Sequence, residues 1–403
     1  MCHMTEEDHL RDSATGCARV ILSHVCRRWR SIILSMPILW SIITIRGPKG
    51  SSLPRLKEHL ERSASCPLSI SVNANATIGA VEQNLEPIKD IVALTVLHAQ
   101  RWKSFELSLS YEYAHSILAL LQSTTFPSLE NLNVHTQSWE RKDSYALFEA
   151  LTSPGIRTIS WCASIGIPPN SCWASLTQIT IWNTLSLREV YALFCQCHEI
   201  VELGLYNISG HSPLENEAMI TVDKLEVFST FTHEPLHGLF DKLCLPRLKH
   251  LALRHVGATS SPDRPCSGIA TVLPRWNCAL EEFVVREPLM DPEALDQLLR
   301  MPNFDSTRDL SIESPSLNDS VLTALTRKAD GECILPQLET LSFWRSQSTD
   351  GTLGDMVTSR FQGIGPNLKQ LWTTFRNGGS RLRDKHALDF LKARGMDIDY
   401  EYW

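Results

Sequence analysis

The sequence predicts an α/β fold built from stacked strand–helix repeats, and three observations carry that expectation. An apolar-x-x-apolar-x-apolar unit recurs along most of the chain at intervals of about 20 to 32 residues. Stretches with leucines at helical spacing lie between successive units. The composition, 43% hydrophobic and 21% charged over 403 residues, has an ordinary globular balance and argues against disorder.

Residues 1–16 are polar and unpatterned. From Val20 to Met36 the apolar side chains Val20, Ile21, Val25, Trp29, Ile32 and Ile33 recur as on one helix, with Arg27, Arg28 and Arg30 mostly opposite. Pro37 ends that helix, because it lacks an N–H and disfavours helical geometry in the residue before it. Residues 47–54, rich in Gly, Pro and Ser, read as a linker, and a second helix is expected over Leu53–Ser63. Cys66–Val72 then alternates as a strand. The resulting division is a tail (1–16), a helical segment (17–46), a linker with a helix (47–66) and a repeat region (67–403).

The repeat reads as Trp102/Phe105/Leu107, Leu129/Leu132/Val134, Ile156/Ile159/Trp161, Leu176/Ile179/Ile181 and Ile200/Leu203/Leu205. It continues at Leu225/Phe228, Leu248/Leu251/Leu253, Leu280/Phe283/Val285 and Leu338/Leu341/Phe343, and more weakly at Leu310/Ile312 and Leu368/Leu371. Helices are expected at Ala114–Gln122, Ser186–Cys197 and Pro292–Met301. One such unit cannot bury its own apolar face, so the units must stack. The spacing is that of leucine-rich repeats, which predicts an irregular solenoid with parallel strands on the concave face and helices on the convex face. The Asn or Cys ladder usual after the third apolar position is largely replaced, by Gln137, Ile208, Val256 and Pro288 among others. A compact α/β domain with a parallel sheet is the other fold compatible with these patterns.

A net charge of −7 and a pI near 6.1 predict no general affinity for nucleic acid or anionic membranes. No apolar run reaches the roughly 18 residues that a bilayer requires. The acidic N-terminus lacks the order of a signal peptide, and the twelve cysteines follow no disulfide framework. Reduced thiols in cytoplasm or nucleus are expected, which makes the sequons at Asn75 and Asn207 coincidental.

Motifs that carry chemistry are few. His233-Glu234-Pro235-Leu236-His237 matches the zinc-binding H-E-x-x-H, but that site needs two histidines on one continuous helix. Pro235 breaks the geometry and suits the first turn of a repeat helix running from Pro235 to Leu243. Cys195-x-Cys197-His198 has no second ligand pair at finger-like spacing and reads as a helix C-terminus with buried thiols. Arg27-Arg28-Trp29-Arg30 reads as a solvated helix face rather than a nucleic-acid patch. No nucleophile elbow, phosphate loop or dinucleotide fingerprint occurs. The expectation is a protein with no catalytic residue, cofactor or metal, and a zinc hydrolase is a distant alternative.

Residues 22–45 resemble the second half of an F-box, as found in the F-box and leucine-rich-repeat families of mushroom-forming fungi. The matching positions are Leu22, Val25, Cys26, Trp29, Ile33, Pro37, Leu39 and Trp40, and the wording around residues 60–70 is similar too. The resemblance implies a helical module that docks on a Skp-family adaptor, which links it to a cullin ubiquitin ligase. It also implies that Val25, Trp29 and Trp40 form a small internal core, while Pro37 and its neighbours shape the docking surface. The family's opening Leu-Pro-x-Glu helix does not appear in residues 1–21. The expected function is therefore a non-catalytic substrate-recognition subunit of an SCF-type ligase. The alternative is a repeat scaffold that has lost adaptor binding.

A target protein is expected on the strand face and its rim. The residue just after the third apolar position is Trp182, Tyr206, Arg254, Arg286 or Trp344. Aromatic residues and arginine dominate binding hot spots, which makes these five the candidate contacts.

Overall fold

Every apolar position read from the repeats is turned inward, none more than 3% exposed. The computed structural model describes residues 18–46, 52–74, 85–136, 139–162, 172–209, 214–233, 235–255, 268–287, 290–313, 317–328, 333–346, 348–362, 368–375 and 381–402. The chain divides into two units, residues 1–183 and 184–403.

The first unit carries helices α1 (Ala18–Ser23), α2 (Arg27–Leu34), α3 (Ser52–Arg62), α4 (Leu85–Val96), α5 (Ala114–Gln122) and α6 (Arg141–Leu151). Its strands are β1 (Ile42–Arg46), β2 (Leu68–Ala74), β3 (Trp102–Leu109), β4 (Asn131–Thr136), β5 (Thr158–Cys162) and β6 (Gln178–Ser186), the last of which runs into the second unit. Each strand pairs in parallel with the next in sequence order. Burial alternates along β2 and β4, so one sheet face is closed and the other faces out. The closed face is filled by aromatic side chains. Trp102 stacks on Phe105 at 4.4 Å and donates its Nε1–H to the Thr95 carbonyl at 3.1 Å. Phe148 of α6 sits 5.2 Å from Trp161 and 5.3 Å from Trp173.

The second unit begins with α7 (Leu187–Gln196), set by a capping box. Ser186 Oγ accepts from the Glu189 N–H, and Glu189 accepts from the Ser186 N–H. There follow β7 (Glu202–Ser209), β8 (Ile220–Thr221), β9 (Val227–Thr232), α8 (His237–Phe240), β10 (Leu243–Cys244), β11 (His250–His255), α9 (Ile269–Trp276), β12 (Glu282–Arg286) and α10 (Pro292–Leu299). The unit ends with β13 (Asp309–Glu313), α11 (Asp319–Leu325), β14 (Thr340–Ser346), α12 (Thr352–Gln362), β15 (Gln370–Phe375), α13 (Leu382–Ala393) and β16 (Asp397–Tyr402). Strands β7, β9 and β11 to β16 form one parallel sheet in that order, and β8 pairs separately with β10. This is the repeating α/β architecture expected from the sequence. Its core runs as a series of edge-to-face rings, Phe194–Phe228, Phe228–Phe240 and Phe240–Trp276.

Two local expectations are corrected. The helix read from Val20 to Met36 is two helices, broken at residues 24–26. Cys26 is extended (φ −159°), and its Sγ accepts from the Trp29 N–H at 3.5 Å. Ser23, His24 and β-branched Val25 give the helix little intrinsic support at the break. The helix expected from Pro235 to Leu243 spans only His237–Phe240, because Leu243 and Cys244 leave it to pair with Ile220 and Thr221.

A ladder of charges takes over where the usual side-chain ladder is largely missing. The residue after the first apolar position of each repeat links to its counterpart through backbone N–H···O=C bonds. In the second unit the first of these is the uncharged Val201, and the charged residues that follow, Glu226, Lys249, Glu281, Arg308, Glu339 and Lys369, and then Asp397, form the ladder. Their signs alternate without exception. Ion pairs close Glu226–Lys249 at 2.9 Å and Glu339–Lys369 at 2.6 Å. The hydrogen bond to each lysine holds the Glu226 and Glu339 carboxyls below their usual range. The first unit repeats the device as Lys103, Glu130 and Arg157, with Lys103 and Glu130 paired at 3.3 Å.

Carboxylates also tie the last helices together. Asp319 accepts from the Thr349 hydroxyl and N–H, Asp350 from the N–H groups of Arg383 and Asp384, and Asp384 from the Gly354 N–H. Gly354 is required there, since a Cβ would lie 2.7 Å from that of Ala387. Hydrogen bonds hold Asp319 and Asp350 below their ordinary values. Carboxyls lowered by folding stabilise fully above the unfolded value and lose that contribution as pH falls through the folded one. The second unit should accordingly loosen below about pH 4. Near-UV circular dichroism against pH checks this, and Asp319→Asn should flatten the transition.

Candidate functional site

The first candidate surface is the segment from α1 to β1. Pro37 starts a short 3₁₀ turn, Pro37–Trp40, that drops the Trp40 ring into the protein. Trp40 is 4% exposed and donates its Nε1–H to the Ile33 carbonyl at 2.9 Å, fixing the end of α2. From α3, His59 meets the ring edge-on at 5.2 Å and the Arg62 guanidinium lies over its face at 4.4 Å. Ile33 and Trp40 are thus the buried pair, with Pro37 and Leu39 half-buried above them.

Val25 and Trp29 do not join that core, contrary to what the F-box resemblance implies. They are 61% and 47% exposed. The reason is geometric. Helix α2 rests on the rest of the unit only along the side carrying Ile33, so its other apolar residues face outward. Leu22 and Cys26 are exposed on the same segment, as are Ile21, Ile32, Leu34, Met36, Ile38 and Ile42. Arg27, Arg28 and Arg30 are exposed as well. The segment thus exposes apolar side chains and cations together.

The second candidate surface is the open sheet face of the second unit. Arg254, Arg286 and Trp344, chosen from sequence, fall in one register row, Phe231–Arg254–Arg286–Glu313–Trp344. Tyr206 sits at the bulge beside Phe231. Trp182 belongs to the strand that closes the first unit, is 46% exposed, and donates to Ser160 Oγ at 3.3 Å. The sequence reading missed Phe231 and Trp372. The Trp372 ring centre lies 4.2 Å from that of Trp344. Trp372 occupies the middle of its strand rather than the position after the third apolar residue. That third position is the buried Thr373, which hides the repeat's phase.

The remaining motifs offer less. His233 lies outside α8, its ring against Phe231, and Glu234 lies outside the described residues. Of the two thiols expected to be buried, Cys197 is buried and Cys195 is exposed beside Tyr191. Among the described residues no group of three His, Cys, Asp or Glu side chains is arranged to hold a metal ion. No described helix is long and apolar enough to cross a membrane. A groove of about 760 Å³ near α10 and α11 is lined by Arg300, Asp319, Thr323, Lys328 and Cys333. Its charged groups are already engaged, Arg300 with Asp296 and Asp319 with Thr349.

No family model matches the chain, and no curated protein does. Among solved structures, a chain of the yeast Rad7 and Elc1 complex aligns over 89% of this chain and 98% of its own, at 14% identity and a TM-score of 0.44.

Proposed function

We propose that this protein is a non-catalytic substrate-recognition subunit of an SCF-type ubiquitin ligase. The segment from Leu22 to Trp40 binds a Skp-family adaptor and through it a cullin scaffold, and the repeats bind a target protein. One observation carries the reading. Of the fifteen large apolar side chains exposed among the described residues, nine fall between Ile21 and Ile42. So dense a concentration of exposed apolar side chains on one short segment, interspersed with Arg27, Arg28 and Arg30, is the property of a docking surface rather than of free protein surface.

The test is retention of the full chain on an immobilised Skp-family adaptor at micromolar concentration. The natural chain should be retained, while Val25→Asp and Trp29→Asp should each lose retention with melting unchanged within about 0.5 kcal/mol, since neither side chain is buried. Failure of the natural chain to bind would remove the ligase reading. The exposure of Val25 and Trp29, which leaves the expected internal core unclosed, favours a second reading, a repeat scaffold without adaptor binding. The same experiment separates the two.

A further inference from the structure

The last four strands of the second unit have an unusual outer face. The open positions of β13 to β16 hold Asp309, Ser311 and Glu313, then Thr340, Ser342 and Trp344, then Gln370 and Trp372, then Asp397, Asp399 and Glu401. None of them is a lysine or arginine. Glu313 is the register partner of Trp344, and Asp399 is that of Trp372. Partners in neighbouring strands stand about 4.8 Å apart on the same face. The two indoles, packed against each other at 4.2 Å, are therefore bracketed by a carboxylate on either side. Trp344 is 41% exposed, and Asp397, Asp399 and Glu401 are exposed on β16, on the far side of β15.

Each element here selects for positive charge. An indole face attracts a cation through its quadrupole, and an exposed carboxylate adds a directed acceptor. An acidic partner would meet like charge, and an uncharged apolar one would leave the carboxylates desolvated without compensation. The neighbouring Arg286 is paired with Glu313, its Nε 3.3 Å from that carboxylate, so those two charges cancel and the net acidity of the face rests on Asp397, Asp399 and Glu401. On this face the charge complement is a chain of lysines and arginines with small residues between them, since Ser311 and Ser342 leave room close to the strands.

We infer that the outer face of β13 to β16 seats an extended basic segment of the target protein, with one lysine or arginine over Trp344 and its neighbours paired to Asp399 and Glu401. The inference rests on the reading that the repeats hold a target, and it names that target's chemistry.

Fluorescence anisotropy of the full chain with labelled peptides tests it. A peptide of about twelve extended residues spans the eight strands of this sheet. One peptide alternates Lys or Arg with Ser, and the second alternates Glu or Asp with Ser. The basic peptide should bind saturably and weaken several-fold as salt screens the carboxylates. Trp344→Ala should weaken it at least about fivefold. The pair Asp399→Asn and Glu401→Gln should do so too, without touching the core. Equal binding of both peptides, no saturable binding, or binding indifferent to the carboxamide pair would overturn the inference. The adaptor experiment is independent of this result. Basic-peptide binding by a chain that fails to hold the adaptor upholds this inference and removes the ligase reading. Adaptor binding without peptide binding does the reverse.

Discussion

Replacing Arg360 by Met is expected to destabilise the second unit by about 3–5 kcal/mol and to lower its melting temperature by about 10 °C. The Arg360 side chain is fully buried. It donates from Nε to the Leu325 carbonyl at 2.6 Å, from Nη1 to Leu335 O at 3.0 Å, and from Nη2 to Ile334 O. Two effects oppose each other. Burial pushes the guanidinium down to about 10, well below its ordinary value, a penalty of about 3 kcal/mol that Met would relieve. Against this, three hydrogen bonds from a charged donor contribute about 1.5–3 kcal/mol each, and their loss strips that donor from three carbonyls at once, two of them on the buried residues Leu325 and Leu335. The second effect wins. Those carbonyls belong to the end of α11 and to the long connection before β14, where Leu335 takes a left-handed φ of 52°. Arg360 is thus the clamp that lets one repeat carry extra residues without losing phase. Arg360→Lys should recover little, since an ammonium cannot reach three divergent carbonyls. Calorimetry of the three chains checks the order, and a Met variant as stable as the natural chain would refute it.

The second large effect is expected at Trp40. Truncation to Ala removes a buried indole and its bond to Ile33, costing about 3–5 kcal/mol locally. Helix α2 should detach from α3, because His59 and Arg62 of α3 reach the end of α2 through that ring. Adaptor retention should then disappear together with protection of α2 amides from hydrogen exchange. The contrast with Trp29→Asp is the informative part. That variant should lose retention and keep its exchange protection, because it changes the outer face and not the seat. Identical exchange patterns in the two variants would contradict the division between them.

Much of the fold was legible because burial writes itself as apolar spacing. Trp102/Phe105/Leu107 and its successors are strands with closed faces, and the helix expected over Ala114–Gln122 spans those same residues. Even Thr373, the polar residue that masks the β15 repeat, occupies a buried third position. What escaped reading depends on the solvent side or on local competition. Cys26 caps α2 with a weak sulfur acceptor, an unusual residue for the role. Helix α8 stops early for a two-residue strand pair whose partner is remote in sequence. The resemblance in residues 22–45 gave Val25, Trp29 and Trp40 interior places, and of these Trp40 is buried while Val25 and Trp29 are exposed. Only the layout of α2 and α3 decides which side of a short helix is covered. On the open sheet face, the three residues Arg254, Arg286 and Trp344 read from the position after the third apolar residue fall in one register row. That position could not locate Trp372, whose partner is a ring in the next strand rather than a neighbour in sequence.

The alternating ladder from Glu226 to Asp397 has a consequence for how such a chain can change its length. Deleting the single repeat that carries Glu281 would bring Lys249 beside Arg308, and duplicating it would set glutamate against glutamate. Removing or adding two repeats at once restores alternation, with Lys249 meeting Glu339. Each exposed pair contributes about 0–1 kcal/mol, too little to decide stability alone. Summed along a stack, the signs still favour one alignment over its one-step neighbours. The array therefore has a parity: it tolerates growth and loss by twos better than by ones.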